Sequence, residues 1–317
     1  MSDLILHHYE TSPFSEKVRV LLGIKGAPWR SVLIPSIMPK PDLTPLTGGY
    51  RRTPVMQIGA DIYLDTQIML AEIERRLPAP RTVTGTDWAV NLWADRLMFQ
   101  TAVPLIFGEL GAQVPEAFIK DREQLSGRPF DPAAMAAAVP FMATQFRGHA
   151  AFIEEGLADR PWLAGNRPGV ADAAAFMNIW FAGRNVPATT AKLLAGLPRV
   201  LDWSERMRAL GHGDRTELTG AEALEIARSV EPATPPAHDP ADPSGLAPGA
   251  AVVVMADEAS PLVLRAPLSD RERRSTSSTP SSISVPIAAM ASGGGPTNVS
   301  PAAAHARANP AFSERNP

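Results

Sequence analysis

The chain has 317 residues, with 30 Lys and Arg against 33 Asp and Glu, and this net charge of −3 excludes the strongly basic surface of a nucleic-acid binder. It contains no cysteine, which excludes a disulfide framework, a thiolate metal site and a cysteine nucleophile. No apolar run is long enough for a membrane helix and the N-terminus has no basic-then-apolar leader, so a cytoplasmic protein without a membrane partner is expected.

Residues 3–9, DLILHHY, read as a strand. Ser12 and Pro13 suit the cap and first position of a helix running through SEKVRVLLGIKG to Gly26. A second strand is expected at 29–34, then a proline-rich loop at 35–45. Two short strands, 54–58 and 62–64, flank the turn Gly59-Ala60-Asp61 and are close enough for a hairpin. Asp65-Thr66 caps the next helix, which Pro78 and Pro80 end. After a linker at 79–85, residues 88–110, 132–157, 170–183, 199–209 and 219–229 read as helices. No strand pattern recurs until about residue 250, where GAAVVVMA (249–256) and PLVLR (261–265) resemble β segments.

Composition is uneven. Of 32 prolines, 14 fall after residue 231, whereas 19 of the 20 aromatics precede it. Aromatics carry much of a core's burial energy, so the packed body should end near 231. In 275–317, 30 of 43 residues are Ser, Thr, Ala, Pro or Gly, too little apolar surface to offset ordering entropy. The expected organisation is an α/β domain over 1–80 and an all-helical domain over 86–231. A linker with a short β appendage follows at 232–269, then a disordered low-complexity tail at 270–317, either native or an out-of-frame remnant of a β module.

Three features carry chemistry. Ser12 sits at a strand-to-helix junction, beside unpaired N–H groups and the positive end of a helix dipole, an environment that favours an anion. Thr53-Pro54 precedes a strand; a cis bond there turns the preceding backbone outward for a peptide-like ligand. Asp65 can accept from an ammonium, while the Thr66 hydroxyl and N–H can meet a carboxylate. Ordinary caps and a trans proline explain each feature taken alone. The six histidines form no metal pattern; His7 and His8 are adjacent on a strand and face opposite ways.

In order and spacing, SPFSEKVRVLLGIKGAPW (12–29), RRTPVMQI (51–58) and LDTQIMLAEIERRLP (64–78) resemble the glutathione S-transferase superfamily, nearest its serine-type, tau-like members. The resemblance covers about residues 3–230. It implies a thioredoxin-like α/β domain followed by a helical domain, with glutathione as co-substrate and no metal. It also implies that Ser12 donates to the glutathione thiolate (Ser15, one helical turn further in, is its rival but is expected to face packing or solvent), that Pro54 is cis and the Thr53 backbone pairs with the cysteinyl unit, and that Asp65-Thr66 replaces the family's Glu-Ser pair at the γ-glutamyl group. WLAGNRPGVADAAAFMNIW (162–180) resembles the buried helix of the second domain. Asp172 there is a folding residue, and Gly169 stands where a capping Ser or Thr is usual.

A small electrophile is expected between the domains, near Tyr9, Phe14 and Arg96, with Trp93, Phe99, Gln100 and Phe107 as further candidates. The activity implied is conjugation of glutathione to that electrophile by a homodimer; the alternative is a binding protein of the same fold without turnover.

Overall fold

The computed structural model describes residues 3–233 and residue 241. The expected β appendage at 249–266 and the tail lie outside the described residues.

The N-terminal half begins β1 (Leu4–His8), α1 (Pro13–Lys25), β2 (Pro28–Leu33). β1 and β2 are parallel, joined by α1 as a crossover. A one-turn helix α2 (Thr44–Thr47) interrupts the proline-rich loop, and β3 (Val55–Ile58), β4 (Asp61–Leu64) and α3 (Thr66–Arg76) follow. β3 runs antiparallel to both β1 and β4. β1 is central and alternates its side chains between two cores. Leu4 and Leu6 meet Val18, Leu21 and Leu22 of α1 and Met69, Leu70 and Ile73 of α3. Ile5 meets Leu43, Leu46 and Val55 on the other face.

Helices build the rest of the chain. α4 (Asp87–Trp93), a π-helical turn (Ala94–Met98) and α5 (Phe99–Leu110) form one continuous rod, where a single helix over 88–110 was expected. Next come α6 (Glu116–Ser126), α7 (Pro132–Gly156), α8 (Val170–Asn185), α9 (Pro187–Leu194) and α10 (Pro198–Ala209). α6 and α9 are absent from the sequence reading. α6 carries Glu, Lys, Asp and Arg around most of its circumference and buries only Asp121 fully, so it shows little helical apolar stripe. α8 is apolar on nearly every side and lies against α1 at the centre of the helical core.

One expectation is overturned. The absence of strands before residue 250 is contradicted by β5 (Asp214–Glu217), which pairs parallel with β2 and makes the sheet order β4-β3-β1-β2-β5. DRTE has no apolar alternation. It becomes a strand because β2 offers an unpaired edge, and its charges suit an exposed outer strand. α11 (Gly220–Ser229) then lays Ala223 against the face that holds Ile5 and Val32, together with Leu218 from the preceding loop.

The return of the chain to the sheet depends on a close approach. A β-carbon on Gly23 would lie 2.1 Å from the Gly211 carbonyl oxygen. Only a residue without a side chain lets the 210–213 turn sit on α1, from which Asp214 N donates to Ala27 O at 2.9 Å.

Candidate functional site

Strand directions assemble the site. β1 pairs antiparallel with β3 through His7 and Val55, and β3 pairs antiparallel with β4 through Val55 and Leu64. The end of β1, the start of β3 and the end of β4 therefore share one edge of the sheet. Ser12 follows the first, Thr53-Pro54 precedes the second and Asp65-Thr66 follows the third. The N-termini of α1 and α3 point to this same end, so two positive helix ends converge on it.

Ser12 is the N-cap of α1 and is 1% exposed. Its Oγ accepts from Ser15 N at 3.2 Å, and its own N donates to Tyr9 O at 3.2 Å. The hydroxyl proton remains free of these bonds. The Thr53–Pro54 peptide is cis. Asp65 caps α3 by accepting from Gln67 N at 2.7 Å, with φ 76 and ψ 130. It is the non-glycine residue with positive φ among the described residues. Holding an aspartate there costs roughly 1–3 kcal/mol, a strain that collects at ligand sites. Thr66 is buried at the first helical position.

Several groups at this edge escaped the sequence reading. Lys40 is buried between two prolines, and its Nζ donates to Thr53 Oγ1 at 2.8 Å and Arg51 O at 3.0 Å. Burial, followed by repulsion from Arg122, brings its pKa down to about 8. Burial pushes the Tyr50 phenol up, with Asp65 adding to the push. Lys17 of α1 is wholly buried and reaches across to Asn91 Oδ1 at 3.1 Å and Asp95 Oδ2 at 2.7 Å. Burial pushes the Asp95 carboxyl upward and Lys17 opposes it. In the sequence Lys17 is one of several charged residues of the helix, with no local mark of burial. Its partners lie 74 and 78 residues away.

α6 is fastened over this region. Arg51 pairs with Asp121, Met38 N donates to Asp121 Oδ1 at 2.9 Å, and Arg122 donates to Ser36 O at 2.7 Å. The loop that carries Lys40 and Thr53 is thus held by a helix of the other half.

The expected electrophile residues divide. Tyr9 and Phe14 are half-buried beside Ser12, and Arg96 is half-buried in the π-helical turn. The Phe14 ring meets Phe99 edge-on with centroids 4.8 Å apart. From there aromatic contacts continue through Phe181 to Phe107, Phe118 and Phe130. Gln100 is exposed. Trp93 turns to α7, where its Nε1 donates to His149 Nδ1 at 3.3 Å.

Asp172 is buried in a folding role. It accepts from Leu163 N, Ala164 N, Gly169 N and Trp203 Nε1 at 2.8–3.1 Å. Burial pushes its carboxyl up, against the pull of these donors. At Gly169 a β-carbon would lie 2.5 Å from Thr82 O, so no serine or threonine fits. Asp87 of α4 supplies the missing cap by accepting from Ala171 N at 3.0 Å.

A family model of the glutathione S-transferase N-terminal domain matches residues 6–81, and one of the C-terminal domain matches residues 132–206. None of the curated proteins matches significantly. Among solved structures, a GST-like protein from Pseudomonas syringae is 39% identical, with a TM-score of 0.66 over 82% of this chain and 86% of its own. A glutathione S-transferase from Rhodospirillum rubrum is 19% identical, with a TM-score of 0.52 over 65% of this chain and 88% of its own. A tau-class glutathione S-transferase from mango, Mangifera indica, is 13% identical, with a TM-score of 0.50 over 72% of this chain and 98% of its own. At such identities the last two speak for the fold alone. The two domain models in order, together with a relative that shares 39% of its residues, make this chain a member of the glutathione S-transferase superfamily.

Proposed function

We propose that the chain binds glutathione at this edge of the sheet and transfers its thiolate to a small electrophile, as a serine-type enzyme. The observation that carries this reading is the convergence of Ser12, the cis Thr53–Pro54 peptide and Asp65-Thr66 beneath two helix N-termini. A free thiol has a pKa of about 8.5 and is mostly protonated at neutral pH. The Ser12 hydroxyl and the α1 dipole both stabilise the thiolate, raising the fraction able to attack. The Thr53 backbone pairs with the cysteinyl unit. The Asp65 carboxylate takes the γ-glutamyl ammonium, and Thr66 with the α3 N-terminus takes its carboxylate. Lys40 positions Thr53 through its bond to Oγ1. The electrophile enters beside Tyr9, Phe14 and Arg96. A homodimer in the cytoplasm is the form this reading carries over from the family.

The test is turnover of a generic aryl halide with glutathione. Ser12→Ala should lower kcat/KM on the order of 10- to 100-fold, the scale of losing one donor to a developing or full anion. An unchanged rate removes Ser12 from the chemistry. A second reading, binding without turnover, is favoured by the 1% exposure of Ser12. It predicts glutathione binding by calorimetry and no product across a broad electrophile panel.

A further inference from the structure

Ser15 lies one turn beyond Ser12, and nothing assigned above uses its hydroxyl. The residue is 0% exposed, and its Oγ has no hydrogen-bond partner. Buried hydroxyls are nearly always satisfied, so an orphan beside a reactive position calls for an account. Ser15 occupies the third helical position, where Cα–Cβ bonds lean back toward the N-cap. A side chain there ordinarily reaches for the N-cap backbone N–H. That donor is already taken, because Ser12 N donates to Tyr9 O.

The neighbouring acceptor on this turn is Ser12 Oγ, to which the Ser15 hydroxyl makes no bond in this structure. The Ser15 backbone already donates to it at 3.2 Å, so the two residues are in contact. The spacing is that of a Cys-x-x-Cys pair on a helix N-terminus, in which the β-carbons lie about 3.5–4.5 Å apart and the two side chains can bond. Ser-Pro-Phe-Ser is the hydroxyl counterpart of that arrangement in a chain without cysteine.

We infer that Ser15 is a positioning residue for the transferase reaction, its hydroxyl donating to Ser12 Oγ while Ser12 donates to the glutathione thiolate. The inference rests on the glutathione reading above. A serine hydroxyl has one proton and two lone pairs. In the liganded site Ser12 would spend its proton on sulfur and fill both lone pairs, one from Ser15 N–H and one from Ser15 O–H. A hydroxyl that accepts is polarised and becomes a stronger donor. Ser15 lies one turn further into α1 than the N-cap Ser12, so in this arrangement it acts through Ser12 and does not touch sulfur.

The thiolate absorbance of bound glutathione, titrated against pH, reads this directly. Ser15→Ala should raise the bound thiol's pKa by about half a unit and lower kcat/KM at neutral pH roughly three- to tenfold. Ser15→Thr should restore both, and in a Ser12→Ala background Ser15→Ala should add no further loss. A Ser15→Ala titration identical to wild type, with Ser12→Ala displaced, overturns the inference and leaves the glutathione site standing. A wild-type chain that binds no glutathione removes the site and the inference together. Independently of glutathione, the Ser12→Cys/Ser15→Cys double variant holds the chain's only two thiols and should lose both thiol hydrogens on mild oxidation. Two free thiols in the folded, oxidised variant would place the side chains out of reach and overturn it as well.

Discussion

At Gly169 the chemistry of one residue is decided by a distant neighbour. The backbone there is extended, with φ −149, which any residue adopts, so conformation does not call for glycine. Space does, because Thr82 O occupies the position of a β-carbon and Asp87 has taken over the capping bond to Ala171 N. By local rules, Gly169→Ser should gain a few tenths of a kcal/mol by restoring a cap. The tertiary contact reverses the sign. Gly169→Ser should destabilise the chain by about 1–3 kcal/mol through overpacking against backbone, and urea unfolding reads that difference. A stabilised variant would show that Thr82 yields. The site residues divide in the same way. Of the proposed site, Ser12, Thr53, Pro54, Asp65 and Thr66 could be nominated from the sequence because each sits at an element boundary that local pattern marks. Lys40 and Lys17 were not, since what makes them matter is burial against Thr53 and Asp95, contacts made across the fold.

Among the elements, β1 shows how burial fixes a protonation state. His8 Nδ1 lies 2.9 Å from the Arg19 guanidinium, which can only donate, so that nitrogen is bare and the ring is neutral. Gln57 Nε2 donates to Gly59 O and Ala223 O, which leaves Gln57 Oε1 to accept from His7 Nε2. Burial, with repulsion from Arg19 second, brings His8 down to about 3, and burial brings His7 down to about 4. Both folded values lie below the unfolded one near 6.5, so the stability they hold is complete above pH 6.5 and drains as pH falls toward them. The loss should reach on the order of 2 kcal/mol per histidine by pH 5. Urea midpoints between pH 7.5 and 5 check this. The slope should flatten in the His7→Gln/His8→Gln variant, and equal slopes would refute it. α1 carries a second prediction of this scale. Gly23→Ala places a methyl group on the Gly211 carbonyl and should cost about 1–3 kcal/mol, measured as a fall in Tm. Unchanged stability would mean that the 210–213 turn shifts freely.

For the whole molecule, the chain's return to its own sheet has the largest consequence. β5 covers the edge of β2, and Leu218 and Ala223, with Leu224 and Ile226 packed alongside, close the core over Ile5 and Val32. Ending the chain at Gly213 opens this face. At about 1.5–3 kcal/mol for each large apolar side chain uncovered, the loss is on the order of 5 kcal/mol, comparable to the whole stability of many domains. The truncated protein should aggregate or lose its near-ultraviolet circular dichroism. A soluble, cooperatively melting product would show that the sheet stands without its fifth strand. α6 ties the halves from the other side through Arg51 and Asp121, so the loop carrying Thr53 is held by both parts of the molecule.

Local pattern determined the four N-terminal strands, the helices with a clear apolar stripe and the order of the three site segments, because these follow from side-chain period, caps and prolines within a few residues. Tertiary structure alone decided that DRTE is a strand, that α6 closes over the loop and that Gly169 needs no side chain. It also decided that the turn from Ser12 to Ser15 leaves the Ser15 hydroxyl buried without a partner. Those outcomes depend on an open sheet edge, a buried ion pair or an occupied volume supplied from far along the chain, and no local window contains them.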